Sequence, residues 1–273
     1  MADPLTAHLV CPRCRGAEAR PAALLLRKHS LVCRRCRARF PVVDGVPVVL
    51  RNRDWSPPPP GAGEVAMVGN YVLSHYPERC ATPRQARRLG VNRRLMQWLL
   101  DALARHAPPA GAALELGCGP GAYAAIWSRF AAFTILCDIR PEFAFCASRQ
   151  WGTPDSQRIG AVIADAHDPP FRGESMALVA ALNLLDVTTE PWLLLAQIDA
   201  LLHPGGIAVL TMPFLQNFAG PQEIISTLQG KHPELPHLSY ATLASKDWLP
   251  WVIPAGDRLV HEYRVHALVA RKN

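Results

Sequence analysis

The 273-residue sequence has no run of the roughly 18 apolar residues that a membrane-spanning helix requires. Its opening stretch, MADPLTAHLV, lacks the basic start and apolar core of a secretion signal, so a cytoplasmic chain is expected. Acidic residues are scarce toward the N-terminus. Up to Arg53, only Asp3, Glu18 and Asp44 oppose eleven Lys and Arg, a local net charge of +8. The remainder shows no such bias and carries −1. A uniformly basic protein is thereby excluded, and any acidic partner or RNA contact is confined to the N-terminal module. A solvated basic surface is the plainer alternative. Global disorder is excluded because 49% of residues are apolar, and the length suits one sizeable domain plus a small module.

Cysteine is plentiful, with eight in all. Four form two pairs, CPRC (Cys11, Cys14) and CRRC (Cys33, Cys36), the spacing of a tetrahedral structural zinc site. A module of roughly 50 residues buries too little apolar surface to fold unaided, and a metal supplies the missing stability. Disulfides are disfavoured in a cytosolic chain. The other four, Cys80, Cys118, Cys137 and Cys146, have no ligand spacing. RFPVVDGVPVVL follows, two β-branched runs about an Asp-Gly turn. These residues resemble the small zinc-ribbon family that activates tRNA and translation-factor methyltransferases, a resemblance that implies a structural or partner-holding role. The expected organisation is a zinc ribbon over 1–53, a Pro/Gly linker over 54–63, a helical lid over 64–106 and a larger domain over 107–273. Leu89, Leu95, Trp98, Leu99, Ala102 and Leu103 recur at helical spacing in the lid, and Asn70, Tyr71, His75 and Tyr76 cluster before them.

AALELGCGPGAYAAIW reads as an apolar strand, a glycine-rich turn and a helix from about Ala122, whose free N–H groups suit an anion. FTILCDIR and AVIADAHDPPF read as further strands ending at Asp138 and Asp165, MALVAALNLLD as a fourth. LLHPGGIAVLTMP reads as a helix end, a turn and a fifth strand. Such alternation predicts an α/β doubly wound sheet with its ligand at the strand carboxyl ends. The succession ELGCGPG to HPGG resembles the class I S-adenosylmethionine-dependent methyltransferases. That resemblance implies a Rossmann-like, mostly parallel seven-stranded sheet closed by an antiparallel last strand, EYRVHALVARKN. It also implies S-adenosyl-L-methionine as cofactor, with Glu115, Gly117, Cys118, Gly119 and Gly121 around the amino-acid half. Asp138 and Ile139 would hold the ribose, and Asp165 with Ala166 the adenine.

NLLDVTTEPW, at the end of the fourth strand, places Asn183 and Asp186 at the edge of an apolar run. With Pro213-Phe214 after strand five, it resembles the DREV-type protein-histidine N-methyltransferases and the methyltransferase domain of the ovothiol-forming enzyme. Both act on imidazole nitrogens. The implied roles are Asn183 and Asp186 as catalytic residues, Asn183 also touching cofactor, and Asn183, Asp186, Phe214 and Tyr76 around the substrate. A carboxylate at Asp186 accepting one imidazole N–H would aim the other nitrogen at the methyl. Thr188 or Thr189 is expected to cap the next helix, leaving Asp186 free for that task. The alternative is rRNA or tRNA base methylation with the basic ribbon on RNA, as in bacterial rRNA guanine methyltransferases that also carry a zinc module. A cofactor-binding adaptor is a third reading.

Overall fold

The computed structural model describes residues 4–14, 22–51, 62–80, 82–151, 158–214, 216–255 and 259–273. The proline-glycine linker expected over 54–63 lies mainly outside these residues. In the N-terminal module, helix α1 (Pro4–His8) leads into a four-stranded antiparallel sheet of β1 (Leu24–Arg27), β2 (Ser30–Cys33), β3 (Arg39–Val43) and β4 (Val46–Pro47), paired in that order. Asp44 and Gly45 both have positive φ, 48° and 80°. This is the two-residue hairpin geometry that suits strand twist, and it explains the Asp-Gly between the two β-branched runs.

The lid is helical in pieces: α2 (Ala62–His75), α3 (Pro83–Leu89) and α4 (Arg93–Arg105). Pro83 starts α3 with its missing N–H harmlessly at the first turn, behind a Thr82 cap that accepts the Gln85 N–H. Leu95, Leu99, Ala102 and Leu103 form the buried stripe of α4.

The large domain runs β5 (Ala112–Leu116), α5 (Ala124–Phe130), β6 (Phe133–Asp138), α6 (Pro141–Trp151), β7 (Ile159–Ile163), β8 (Met176–Leu182), α7 (Pro191–Leu201), β9 (Leu202–Met212), α8 (Pro221–Leu228), β10 (Tyr240–Pro254) and β11 (Val260–Lys272). Its seven strands lie in the order β10-β11-β9-β8-β5-β6-β7, with β5 to β9 parallel and β10 and β11 antiparallel. Strands β5, β6 and β8 are buried almost throughout, as strands covered on both faces must be. Strand β5 pairs with both β6 and β8, so the order reverses there and a crevice opens at its carboxyl end.

Small boundary shifts have local causes. The third parallel strand stops at Ile163, two residues short of Asp165, and α5 begins at Ala124 rather than near Ala122. The HPGG segment, expected as a turn, lies inside β9, where the pairing with β8 shifts register and Gly205 has φ 80°. Strand β10 is the element with no clear sequence signature, because Pro250 and Pro254 argue against a strand interior. It is an edge strand, where missing N–H donors cost little.

The opposite edge, β7, is covered by the ribbon. Val48 bridges Ile163 in parallel, the Val49 N–H donates to the Ile163 carbonyl at 2.9 Å, and Leu9 bridges Phe171. Val46, Val48 and Leu50 pack with Ala144 and Ile163 in one small core. An edge that would otherwise invite foreign strands is thereby closed.

The lid is fastened to β10 by Asn92. This residue is buried, its Nδ2 donates to the carbonyls of Ser74 and Val252, and its Oδ1 accepts the Val252 N–H at 2.8 Å. Asn92→Ala strands three buried backbone groups and is expected to cost about 3 kcal/mol in urea unfolding. A loss within experimental error would contradict this assignment.

Candidate active site

The four ribbon thiols converge. Their sulfurs lie within 4.8 Å of one another, with Cys11–Cys36 at 3.7 Å and Cys14–Cys33 at 3.8 Å. A tetrahedron of roughly 2.3 Å Zn–S bonds has edges of about 3.8 Å, so the set fits zinc. The Arg35 and Cys36 N–H groups point at the Cys33 sulfur. Burial raises that thiol, but these N–H bonds outweigh it and bring it down to about 7. The ribbon also reaches the large domain's ligand loop through a bidentate Arg51–Asp168 pair at 2.7 and 2.9 Å.

At the carboxyl ends of β5, β6, β7 and β8 lies a cavity of about 600 Å³, the size range of small-molecule sites. Its floor is the glycine turn. Gly119 has φ 52° with open space where a Cβ would stand, so a ligand can approach the backbone closely. Asp138 fixes the turn: its carboxylate accepts the Gly119 and Arg140 N–H groups, both at 2.9 Å. Burial pushes Asp138 up to about 6, against the pull of those two bonds. Its carboxylate lines the cavity with lone pairs to spare for hydroxyls. Ile139 is 39% exposed on this wall, an apolar flank for a flat base beside Ala166. Asp165 holds the Nδ1 and backbone N–H of His167, and Thr188 Oγ1 holds its Nε2.

Glu115, Gly117, Cys118, Gly119, Asp138, Ile139, Asp165, Ala166 and Asn183 all line this one cavity. The donor set fits the nucleoside and amino-acid ends of S-adenosylmethionine, and the group supplies an electrophilic methyl on a sulfonium. Gly121 stands apart from the lining: a Cβ there would meet Ala147 Cβ at 2.9 Å, so its bare backbone (φ 75°) serves helix packing. Asn183, also at positive φ (54°), is clasped by Thr211, whose Oγ1 accepts the Asn183 backbone N–H and donates to its Oδ1. The Asn183 Nδ2 has no partner among the described residues.

Three expected substrate residues lie elsewhere. Asp186 is wholly buried and outside the lining, with its carboxylate facing the Asn217 N–H at 3.4 Å. Asn217 also donates to the carbonyls of Leu185 and Thr188, so Asp186 belongs to the clasp of that turn. The capping argument that freed Asp186 also changes. Glu190 is the N-cap of α7 and makes no side-chain cap bond, while Thr188 accepts the Glu190 N–H and serves His167. Phe214 packs into the core 6.0 Å from the His266 ring, and Tyr76 donates to the Pro120 carbonyl beneath Arg79.

In their place the cavity lining includes an aromatic group. Tyr71 and His75 from α2, Tyr123 before α5, Phe143 from α6 and Trp251 from β10 line the cavity. Tyr71 meets Phe143 at 5.3 Å and Trp251 at 6.2 Å, and His75 meets Tyr123 edge-on at 5.6 Å. Tyr71 and His75 were legible as a polar cluster in the lid; Trp251 had no signal once its strand was hidden by prolines.

Residues 114–210 match the family described as Methyltransferase domain, and residues 4–45 match Trm112p-like protein. A UPF0434 protein of Legionella pneumophila (strain Lens) is 48% identical over 42 residues, 15% of this chain and 61% of that protein. A UPF0434 protein of Methylobacillus flagellatus is 39% identical over 44 residues, 16% of this chain and 67% of that one. The chain thus spans about three fifths of the first of these relatives. The fold resembles magnesium protoporphyrin IX methyltransferase from Synechocystis PCC 6803 (TM-score 0.54, 12% identity, covering 76% of this chain and 96% of that one). It also resembles the N-methyltransferase NodS from Bradyrhizobium japonicum WM9 (TM-score 0.50, 16% identity, 67% and 97%).

Glu115 adds a pH signature. It is buried beside the cavity, accepts the Trp127 indole N–H at 2.9 Å, and burial pushes it up to about 8. A cationic ligand group favours the carboxylate, so binding releases a proton below that value. Calorimetric affinity for S-adenosylmethionine is therefore expected to tighten as pH rises from 6 toward about 8, and Glu115→Gln to flatten the dependence. Wild-type affinity that is constant over this window would contradict it.

Proposed function

Residues 114–210 match the Methyltransferase domain family and residues 4–45 the Trm112p-like one, and we propose that the chain is a class I S-adenosylmethionine-dependent methyltransferase whose acceptor is an imidazole nitrogen. The acceptor would be a histidine of a peptide or protein, or a histidine-derived small molecule. The observation that carries this reading is the aromatic part of the cavity lining. It comprises Tyr71, Tyr123, Phe143 and Trp251, a surface suited to a flat, weakly polar ring.

Methyl transfer from a sulfonium is an in-line displacement, so the enzyme's main task is to position a neutral nucleophile. Imidazole, with a pKa of about 6.5, is largely neutral at pH 7 and carries one lone-pair nitrogen. Asn183 Nδ2 can donate to a carbonyl or carboxylate of the acceptor, which sets the ring's distance from the cofactor side. The aromatic wall excludes water and stacks on the ring. It also favours the cation that develops as the methyl is accepted.

The second reading, RNA base methylation, draws on the ribbon. Arg27, Lys28, Arg34, Arg37 and Arg39 are all exposed on its hairpins, a footprint that suits phosphates or an acidic partner. The test is to incubate the protein with labelled S-adenosylmethionine and, separately, a histidine-containing peptide library, free histidine derivatives and RNA. Added mass on an imidazole nitrogen is the expected result. Methyl found only in RNA would replace this reading with the second.

A further inference from the structure

The carboxylate expected to receive the acceptor's N–H is outside the cavity, which leaves that task to a group inside it. His75 ends α2 and lines the cavity. Its Nδ1 lies 2.9 Å from the Tyr71 carbonyl and 2.9 Å from Ser74 Oγ, while Ser74 Oγ donates to that same carbonyl at 2.9 Å. A carbonyl only accepts, so Nδ1 is the protonated nitrogen and Nε2 keeps its lone pair. Nε2 has no protein partner among the described residues. Tyr123 stands edge-on to the ring at 5.6 Å and Tyr71 lies nearly parallel at 6.3 Å, so the imidazole is held in one orientation. Ser74 is itself tied down, because its carbonyl accepts from Asn92. The lone pair is therefore fixed by the packing of the lid on β10.

We infer that His75 is the catalytic proton acceptor of this cavity, with Nε2 receiving the N–H of the acceptor imidazole and thereby selecting which nitrogen is methylated. This rests on the imidazole reading above. The acceptor's other nitrogen supplies the electron pair of the new N–CH3 bond, and the sulfonium sulfur keeps the pair of the broken S–C bond. The acceptor N–H proton passes to His75 Nε2, which returns it to solvent when product leaves. Burial lowers the basicity of His75, against the Tyr71 carbonyl that raises it, so the ring is neutral and ready to accept at pH 7. The titratable groups that share the cavity are Tyr71 from α2, Glu115, Cys118 and Tyr123 from the β5–α5 segment, Asp138 and Arg140 from the end of β6, and Asp165 and His167 after β7; β10 contributes only Trp251.

The test uses the full chain with a histidine peptide that the wild type methylates. His75→Phe keeps the ring packing and loses the lone pair. It is expected to lower kcat/KM by about 10²-fold or more and to yield both N-methyl isomers where the wild type yields one. Affinity for S-adenosylmethionine should stay within a few fold of wild type. His75→Gln, which can still accept through its amide oxygen, should lose less. With S-adenosylmethionine saturating at every pH, log kcat/KM for the peptide should fall at the acidic end with slope two in the wild type, since acceptor and His75 must both be neutral, and with slope one in His75→Gln. A peptide whose histidine already carries a methyl on one nitrogen has no N–H to give and should be a poor substrate for the wild type. The inference is overturned if His75→Phe retains wild-type kcat/KM and a single isomer, if cofactor affinity collapses in step with turnover, or if the pre-methylated peptide reacts equally well. If the wild type methylates no imidazole at all, the reading of the acceptor fails and this inference with it, a result that differs from failure at His75 alone.

Discussion

The site depends on the pair of hydrogen bonds that Asp138 accepts from Gly119 and Arg140. They tie the turn after β5 to the end of β6 and so set the shape of the cavity floor. Hydrogen bonds to a charged group contribute on the order of 1.5–3 kcal/mol each, more than the neutral bonds of an ordinary turn. They also hold Gly119 at positive φ with its missing side chain toward the cavity. Around this joint the other loops take their places: the Asp165–His167–Thr188 chain on one side, and Asn183 clasped by Thr211 on the other.

The ribbon is part of this arrangement. A parallel sheet that ended at β7 would expose a row of unpaired backbone groups, and residues 48–49 cover them while Arg51 reaches Asp168 beside the ligand loop. The ribbon therefore acts on the large domain through backbone hydrogen bonds and one ion pair. The lid is fastened at the opposite end of the sheet, where Asn92 bonds β10. Two small attachments thus frame the crevice, one at each edge strand.

Much of this was legible in the sequence because it rests on local rules. The cysteine spacing, the Asp-Gly turn, the glycine loop and the acids ending apolar strands each encode geometry within a few residues. What stayed hidden depends on distant parts of the chain. Asp186 looked available because its partner, Asn217, lies 31 residues away in a loop with no pattern of its own. Gly121 looked like a cofactor glycine, but its constraint is Ala147 on α6, beyond the next strand. Trp251 sits in a strand whose prolines read as breaks until its place at the sheet edge is known. His75 was visible as a residue, but the tautomer that gives it a role follows from Tyr71 and Ser74 in three dimensions.

Selection of the methylated nitrogen turns on a neutral His75 ring that presents a lone pair to the cavity. Its most direct test is a long-range 1H–15N correlation spectrum of selectively labelled histidine, with the His75 signals assigned by substitution. At neutral pH the account predicts a pyrrole-like Nδ1 and a pyridine-like Nε2. A proton on Nε2, or an imidazolium pattern at that pH, would contradict it.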